Sequence, residues 1–269
     1  MKDRKRKRLD NAAVSESIGF IIIFSIMLAG IALVTLYGYP MLVQEQQNTN
    51  IRNMERNMIV LQNDLTMLTF KNVPFKETTL QVAGGTLSVQ KEPGTGNGLK
   101  SGFTVEVPGY SPFIYNLGEI HYDSQDLEAT ISLENGAVNL IYWDSPDGSV
   151  MLSEPRWFYD DLTNQTLVIS FIKINASDVL SQTGIGSVKM KLIDANQTPT
   201  MPITGTVNIT YTADPEYNYK KAWENYFNGP ALWDVMDEIS SSGFTLKYQL
   251  DPKVKNLVIK TYNVTVISL

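Results

Sequence analysis

The chain has 269 residues, of which 43% are hydrophobic, and a formal net charge of −6. It contains no cysteine and a single histidine, which excludes thiol catalysis, disulfides, cysteine-ligated metals and multi-histidine metal sites. The acidic balance argues against a nucleic-acid partner, because phosphate backbones are bound by clusters of Lys and Arg.

The N-terminal region joins a basic run to a long uncharged stretch. Residues 2–8 include six Lys and Arg, and residues 18–43 carry no charged side chain. A helix needs about 20 apolar residues to cross a bilayer core, so we predict a transmembrane helix over residues 14–43. The basic end is expected to stay in the cytoplasm. The chain beyond residue 10 carries a net charge of −10 and is expected to lie outside the cell.

Two small residues, Ala12 and Ala13, precede the apolar core of this segment. A secretory signal peptide has a shorter apolar core, with its cleavage site after it. Cleavage at the small residues would remove only a basic leader, residues 1–13, and would keep the helix. An uncleaved membrane anchor is the alternative, and composition does not separate the two.

The segment Val14-Ser15-Glu16-Ser17-Ile18-Gly19-Phe20, with its basic and small residues before it, resembles the class III leader of archaeal type IV pilin-like surface proteins. The commoner form of that motif has Pro at the position of Glu16. The resemblance covers roughly residues 4–70. It implies cleavage by a prepilin peptidase, in a region that comprises Asn11, Ala12, Ala13 and Val14. It further implies membrane lipid, copies of the chain or other pilin-like subunits, and an assembly platform as partners.

Glu16 is a carboxylate at the N-terminal edge of the apolar segment. A charge there is costly unless it is paired or reaches water. The resemblance implies that Glu16 pairs with the free N-terminal amine of the mature chain during assembly. The alternative is that Glu16 marks the cytoplasmic headgroup boundary.

A heptad stripe continues the helix beyond the membrane, over residues 44–72. Its members are Ile51, Met54, Met58, Leu61, Leu65 and Leu68. Amphipathic helices normally bury such a face on their own core, so the chain's own outer domain is the expected cover. The same helix in neighbouring subunits is the alternative.

Residues 76–269 change to short alternating segments separated by turns, which indicates antiparallel sheets. We predict hairpins at Ala83-Gly84-Gly85 and at Asn135-Gly136. Two short helices are expected near the C-terminus, one capped by Asp214 and one opened by Pro230. The expected fold class is α+β, with the long helix packed on a mainly antiparallel, β-sandwich-like outer domain.

The outer region offers little catalytic chemistry. The lone His121 is interpreted as structural, and the acidic pairs Asp123/Asp126, Asp144/Asp147 and Asp160/Asp161 as solvated turns rather than a cation site. We therefore predict no enzyme activity, no metal and no cofactor. Five Asn-x-Ser/Thr sequons are candidates for N-glycosylation. They begin at Asn164, Asn175, Asn196, Asn208 and Asn263.

Together these features predict a single-pass cell-membrane protein with a cytoplasmic N-terminus and an extracellular C-terminal domain. The resemblance implies a type IV pilin-like or pseudopilin-like structural subunit of an archaeal surface filament or related assembly. The alternative is a surface protein that does not polymerise and whose β ectodomain binds a cell-envelope or extracellular partner.

Overall fold

A computed structural model describes the chain apart from residues 1–2, 72, 91–100, 126, 144, 146–147, 163 and 177 and the side chains of residues 3–16. The chain divides into two compact units, Met1–Thr49 and Asn50–Leu269. The first unit is helical, and the second contains the sheets. The second unit begins at Asn50, whereas the β domain was predicted to begin at residue 76. The second unit therefore also includes the last part of the long helix.

The helices begin with α1, Asp3–Leu33, which is followed by a π-helical turn, Val34–Gly38. Helix α2 covers Tyr39–Phe70, and a short helix α3 covers Lys220–Phe227. The stretch Ser17–Phe70 is long and apolar enough to cross a membrane by length and composition. Within the described residues it is the one stretch that meets this criterion.

The described residues also form fifteen strands. They are β1 (Phe75–Gln90), β2 (Gly102–Glu106), β3 (Phe113–Asn116), β4 (Glu119–Ser124), β5 (Ala129–Glu134), β6 (Ala137–Tyr142), β7 (Ser149–Ser153), β8 (Phe158–Asp160), β9 (Thr166–Ala176), β10 (Ser181–Gln197), β11 (Met201–Pro202), β12 (Asn208–Thr212), β13 (Met236–Ser242), β14 (Thr245–Leu250) and β15 (Asn256–Ser268).

These strands form two sheets. In the described part of the chain, ten strands make the first sheet, with the order β7-β6-β5-β4-β1-β10-β15-β9-β8 and β11 paired to β15. Five make the second, with the order β13-β14-β12-β2-β3. The one parallel pair is β9 with β15, and the other described pairs are antiparallel. The large, mostly antiparallel β domain beside a long helix agrees with the expected α+β class.

The predicted hairpin at Ala83-Gly84-Gly85 is wrong, because β1 runs through this position as one strand. Its register on β10 shifts between Val82 and Leu87, which is a bulge. Gly84 adopts a positive φ of 69°. A Cβ on Gly85 would lie 2.6 Å from the ring of Tyr122, so the glycine pair permits a close approach rather than a chain reversal.

The predicted hairpin at Asn135-Gly136 is confirmed. The turn joins β5 to β6, with φ values of 50° and 76° at its two residues. Such positive φ values are what a two-residue hairpin turn of this type requires.

The predicted helical pair near the C-terminus is only partly present. Helix α3 begins at Lys220, whereas Asp214 accepts a hydrogen bond from the backbone of Glu216 in a local turn. Residues 230–235 form turns, and β13 follows, so the second predicted helix is wrong. Its apolar spacing instead reflects Leu232 and Val235 reaching the core from a turn.

Two hydrophobic cores occupy the second unit. The aromatic core contains residues from both sheets and from α3, including Phe103, Phe171 and Trp223. The helix-side core contains the second half of α2 and the opposite face of the first sheet, including Leu87 and Ile131. The central strands of the first sheet are thus buried on both faces.

The heptad stripe lies in the helix-side core, where each of its residues is at most 2% exposed. The cover for this stripe is the chain's own sheet. Its six side chains are Ile51, Met54, Met58, Leu61, Leu65 and Leu68. A neighbouring subunit therefore has no access to this face while the domain is folded.

A buried glutamine also ties α2 to the sheet. The Gln62 amide nitrogen donates to the carbonyl oxygens of Gly136 and Glu154 at 2.7 and 3.0 Å. Its amide oxygen accepts from Ser153 Oγ at 2.6 Å. The Gln62 side chain thus forms a polar contact between α2 and the sheet within an otherwise apolar interface.

Replacing Gln62 by Ala is expected to lower the free energy of unfolding by about 2–3 kcal/mol, because two buried carbonyl groups and a hydroxyl would lose their partner. Chemical denaturation followed by tryptophan fluorescence measures the change. The matched control is Gln81→Ala, at an exposed position of β1. Equal losses in the two variants would contradict this role of Gln62.

Candidate functional site

Polar side chains line one face of the first sheet where β4 and β5 run side by side. We call this surface the polar face. Its cross-strand pairs are Glu119 with Glu134, His121 with Ser132, and Asp123 with Thr130. Side chains alternate between the two faces of a strand, so the intervening Ile120 and Tyr122 point to the helix-side core. The polar face is directed at the aromatic core and α3.

Two glutamates face each other across the β4–β5 ladder. Glu119 is 5% exposed and Glu134 is fully buried. The phenol of Tyr211 lies 3.4 Å from both carboxyl oxygens of Glu134, and the indole N–H of Trp223 lies 3.5 Å from one of them. Strand β12 and helix α3 thereby supply hydrogen-bond donors to an acid carried by β5.

Burial, and after it the neighbouring Glu119, raise the pKa of Glu134 to about 8, against the opposing effect of hydrogen bonds from Ser101, Trp223 and Tyr211. The Glu134 carboxyl is therefore protonated at neutral pH. Burial and the same carboxyl groups also raise the pKa of Tyr211 well above its ordinary value. In this part of the polar face, the Glu134 carboxyl is surrounded by the neutral hydrogen-bonding side chains of Tyr211 and Trp223.

His121 lies at the other end of the polar face, within a Ser–His–Asp grouping. Its Nε2 is 2.8 Å from Ser88 Oγ and 3.1 Å from Asp123 Oδ2. In a catalytic triad the serine and the carboxylate contact opposite ring nitrogens. Here both contact the same nitrogen, so this grouping does not have the geometry of a triad.

The Asp123 carboxylate gathers several donors. It accepts hydrogen bonds from Thr130 at 2.7 Å and from Tyr217 at 3.5 Å, besides the contact with His121. Burial favours a higher pKa for Asp123, but the hydrogen bond and charge of His121, together with the hydrogen bonds from Thr130 and Tyr217, outweigh it and lower the pKa. Asp123 is therefore ionised and serves to hold His121 and Tyr217 in place.

The chain segment of residues 213–223 covers the polar face. The ring of Tyr217 lies 5.1 Å from the ring of His121. The backbone N–H of Ala222 donates to Ser149 Oγ at 3.1 Å, which satisfies one free donor of the first turn of α3. The aromatic residues of this segment are thus buried as core contacts.

No direct signal in the sequence identifies the glutamate pair. Glu119 begins β4 and Glu134 ends β5, and their pairing depends on the β4–β5 register. A hint was present in residues 129–134, where polar side chains alternate with apolar ones next to an Asn-Gly turn. Such alternation ordinarily places the polar side in water, but here a second layer covers it.

The leader residues Asn11, Ala12, Ala13 and Val14 and the assembly candidate Glu16 have side chains outside the described residues. The predicted acidic pairs are only partly described, since Asp126, Asp144 and Asp147 also fall outside. Asp160 accepts a hydrogen bond from the backbone of Leu162 at 3.2 Å, as in a local turn. Among the residues described, no group of three or more His, Asp or Glu is arranged to hold a metal ion.

The five sequons differ in exposure. Asn164, Asn175 and Asn196 are exposed, and Asn208 and Asn263 are half-buried. The side-chain nitrogens of Asn196 and Asn263 both donate to Asp194, and that of Asn208 donates to Glu106. Glycosylation at these positions stays a prediction.

Comparison with known proteins gives one match. A model described as a family of unknown function (DUF7289) matches residues 13–266. No curated protein and no solved structure matches the chain. The matched range begins at the predicted leader boundary and includes the long apolar helix and both sheets. The chain therefore belongs to the DUF7289 family of unknown function.

Proposed function

We propose that this protein is a single-span, type IV pilin-like structural subunit of an archaeal cell-surface filament or a related assembly. The observation that carries the proposal is the contrast along the helix Ser17–Phe70. Its apolar N-terminal part is exposed throughout, with Phe20 at 69%, Leu36 at 68% and Met41 at 75%. Its later stripe is buried.

This contrast limits which surface can join subunits. Because the chain's own sheet covers the stripe, helix contacts between copies must use residues 18–43. That segment is apolar on all sides, so lipid covers it in the membrane and the same segment of neighbouring copies covers it in a filament. Movement of the subunit from the membrane into a filament requires prepilin peptidase and an assembly platform as partners.

The outer domain supports the same proposal. Its two sheets share the aromatic core, which is consistent with a β-sandwich-like domain held together without disulfides. The acidic composition beyond residue 10 and the exposed sequons fit an extracellular location. In this proposal the N-terminus is cytoplasmic, the domain has a structural and non-enzymatic role, and any N-linked glycans lie on the outside.

Replacing Glu16 by Gln is expected to reduce incorporation into sheared surface filaments by about tenfold or more, which corresponds to about 1.4 kcal/mol. The reason is the loss of the proposed pairing between the carboxylate and the mature N-terminal amine. Membrane insertion and leader cleavage should be unchanged. Quantitative immunoblots of filament and membrane fractions measure the ratio.

The matched control for this experiment is Glu45→Gln, which removes an exposed carboxylate at the other end of the apolar segment. It should be incorporated normally. Mass spectrometry of the native N-terminus determines the cleaved bond, and with it the distance between Glu16 and the free amine. Normal assembly of Glu16→Gln would contradict the pairing role.

A second candidate function is a surface protein that does not polymerise and whose β ectodomain binds a cell-envelope or extracellular partner. The covered stripe favours it, because the helix needs no neighbouring subunit to bury that face. An intact N-terminus, together with absence of the protein from surface filaments, would support this candidate over the pilin-like one.

A further inference from the structure

We propose that the polar face encloses a binding site for internal water, formed by Ser132 of β5, Asn139 of β6 and Tyr219 ahead of α3. The site lies within the folded domain, and it does not depend on whether the protein polymerises. Its ligand is a small cluster of water molecules that bridges these three side chains.

The site is defined by buried polar atoms whose hydrogen-bonding capacity the described protein atoms do not fill. Asn139 is fully buried, and neither its amide nitrogen nor its amide oxygen makes a hydrogen bond within the described part of the chain. Ser132 Oγ and the hydroxyl of Tyr219 are equally buried, and within the same part of the chain neither has a hydrogen-bond partner besides the other. Buried polar groups in native proteins are nearly always hydrogen-bonded, to protein or to ordered water.

The register brings these atoms together. Ser132 and Asn139 are directly opposite each other on neighbouring strands and therefore share a face. Cross-strand partners have Cβ atoms about 4.5–5.5 Å apart, and both side chains are short. The Tyr219 hydroxyl approaches Ser132 closely enough for that hydroxyl to lower the pKa of Tyr219, although burial keeps this pKa well above its ordinary value.

The flanking residues leave few protein alternatives. Met151 of β7 is the other cross-strand neighbour of Asn139 and offers only a weak acceptor. His121 is the other neighbour of Ser132, and its Nε2 contacts Ser88 and Asp123. Along the sheet, the amide of Asn139 therefore has one hydroxyl neighbour, Ser132, and neither of its polar atoms makes a hydrogen bond to it.

Water fits this set of atoms better than a cation does. The site presents an amide N–H₂ donor beside an amide oxygen and two hydroxyls, so its ligand must both accept and donate hydrogen bonds. An internal water typically makes about three hydrogen bonds, with two to four polar partners. A hard cation needs several oxygen ligands, usually with carboxylates among them, and it would leave the amide donor unsatisfied.

The sign of a stability change tests the proposal. In the full-length protein in detergent, Asn139→Leu keeps the branched shape and the number of side-chain heavy atoms but removes the hydrogen bonds to water, so the melting temperature should fall by about 4 °C or more. If the Asn139 amide instead has no partner at all, the apolar side chain stabilises the fold and the melting temperature rises. A rise would overturn the proposal.

Companion variants make this result specific. Asn225→Leu places the same change at an exposed position of α3 and should leave the melting temperature within about 1 °C. Ser132→Ala is a smaller change, which serves if Asn139→Leu does not fold, and it too should lower the melting temperature. The double variant should lose less than the sum of the single losses, because both residues bind the same water. Strict additivity would overturn the shared site.

Two further measurements distinguish the ligands. A high-resolution crystal structure should show water density within hydrogen-bonding distance of the Asn139 amide, and an empty space there would overturn the proposal. A fall in the melting temperature of the wild-type protein on adding EDTA, reversed by Ca²⁺ and absent from Asn139→Leu, would identify a cation and overturn the water site.

Discussion

Replacing Phe103 by Ala is expected to lower the free energy of unfolding by about 3–5 kcal/mol. Phe103 is 1% exposed and lies where the two sheets and α3 meet. Its ring contacts aromatic rings from several elements, at centroid distances of 5.4, 5.2, 5.0, 5.0 and 6.3 Å. These rings belong to Trp157, Phe171, Tyr211, Trp223 and Phe227. Truncation leaves a cavity that such large, interlocked rings cannot close.

Urea denaturation of the full-length protein in detergent, followed by tryptophan fluorescence, measures this loss. Trp157 and Trp223 flank the substituted ring and report directly on its surroundings. The matched control is Phe158→Ala, at a position 49% exposed, which should cost less than about 1 kcal/mol. Similar losses in both variants would show that Phe103 is not the centre of this core.

The helical part of the fold was predictable from local periodicity. Six apolar residues between Ile51 and Leu68 repeat with heptad spacing, and a single face results wherever the chain is helical. The structure buries that face against the first sheet. What periodicity could not provide is the identity of the cover, because a sheet of the same chain and a helix of another chain bury an apolar stripe equally well.

The prediction of strand boundaries was wrong at one of two glycine-containing sequences, because glycine is typical both of a hairpin turn and of a close approach between strands. Ala83-Gly84-Gly85 and Asn135-Gly136 both resemble hairpin turns, yet only the second one reverses the chain. At Gly85 the absent Cβ makes room for the ring of Tyr122 on the adjacent strand. The need for this space arises from β4, which is distant in sequence. The residues around Gly85 alone therefore could not predict it.

The polar face was missed for a related reason. A polar residue at every second position of β5 predicts a solvated face, and the residues that cover this face come from β12 and from residues 213–223. Their approach depends on long-range pairing, such as β12 with β2 and β9 with β15. Residue types alone could not reveal that Glu119 and Glu134 meet inside the protein.

The division of the helix surface bears on how an assembly would form. The outer domain buries the stripe by itself, so it is complete as a folded unit without neighbours. Any polymer of the kind proposed would then be joined through residues 18–43. Glu16 lies at the edge of that segment, so we expect its substitution to disrupt the proposed assembly without disturbing the fold of the outer domain.

The stability of the outer domain is expected to depend on pH through Glu134, and Glu134→Gln should remove that dependence. Burial raises the pKa of Glu134 from 4.5 to about 8 in the folded state. Between these values the folded state holds a proton that the unfolded state releases, so stability falls as pH rises. The stabilising contribution is fully present below about pH 4.5, and it is lost as pH rises through about 8.

The size of the effect follows from the shift, at 1.36 kcal/mol per pKa unit. The wild-type protein should lose about 3–5 kcal/mol between pH 4.5 and pH 8.5 from this group. In Glu134→Gln the amide is neutral at every pH, and its oxygen still accepts from Tyr211 and Trp223. This variant should therefore be the more stable protein at pH 8.5 and should gain no such advantage at pH 4.5.

Denaturant unfolding of both proteins at pH values from 4.5 to 8.5 separates this group from the rest of the titration. The difference between the two free energies isolates the titration that depends on position 134, including its coupling to Glu119, since the other groups are shared. Glu128→Gln, at an exposed position between β4 and β5, is the matched control and should run parallel to the wild type. If Glu134→Gln also runs parallel, the Glu134 carboxyl is not held protonated by its surroundings. In that case Tyr211 and Trp223 donate to a carboxylate, and the polar face carries a buried charge.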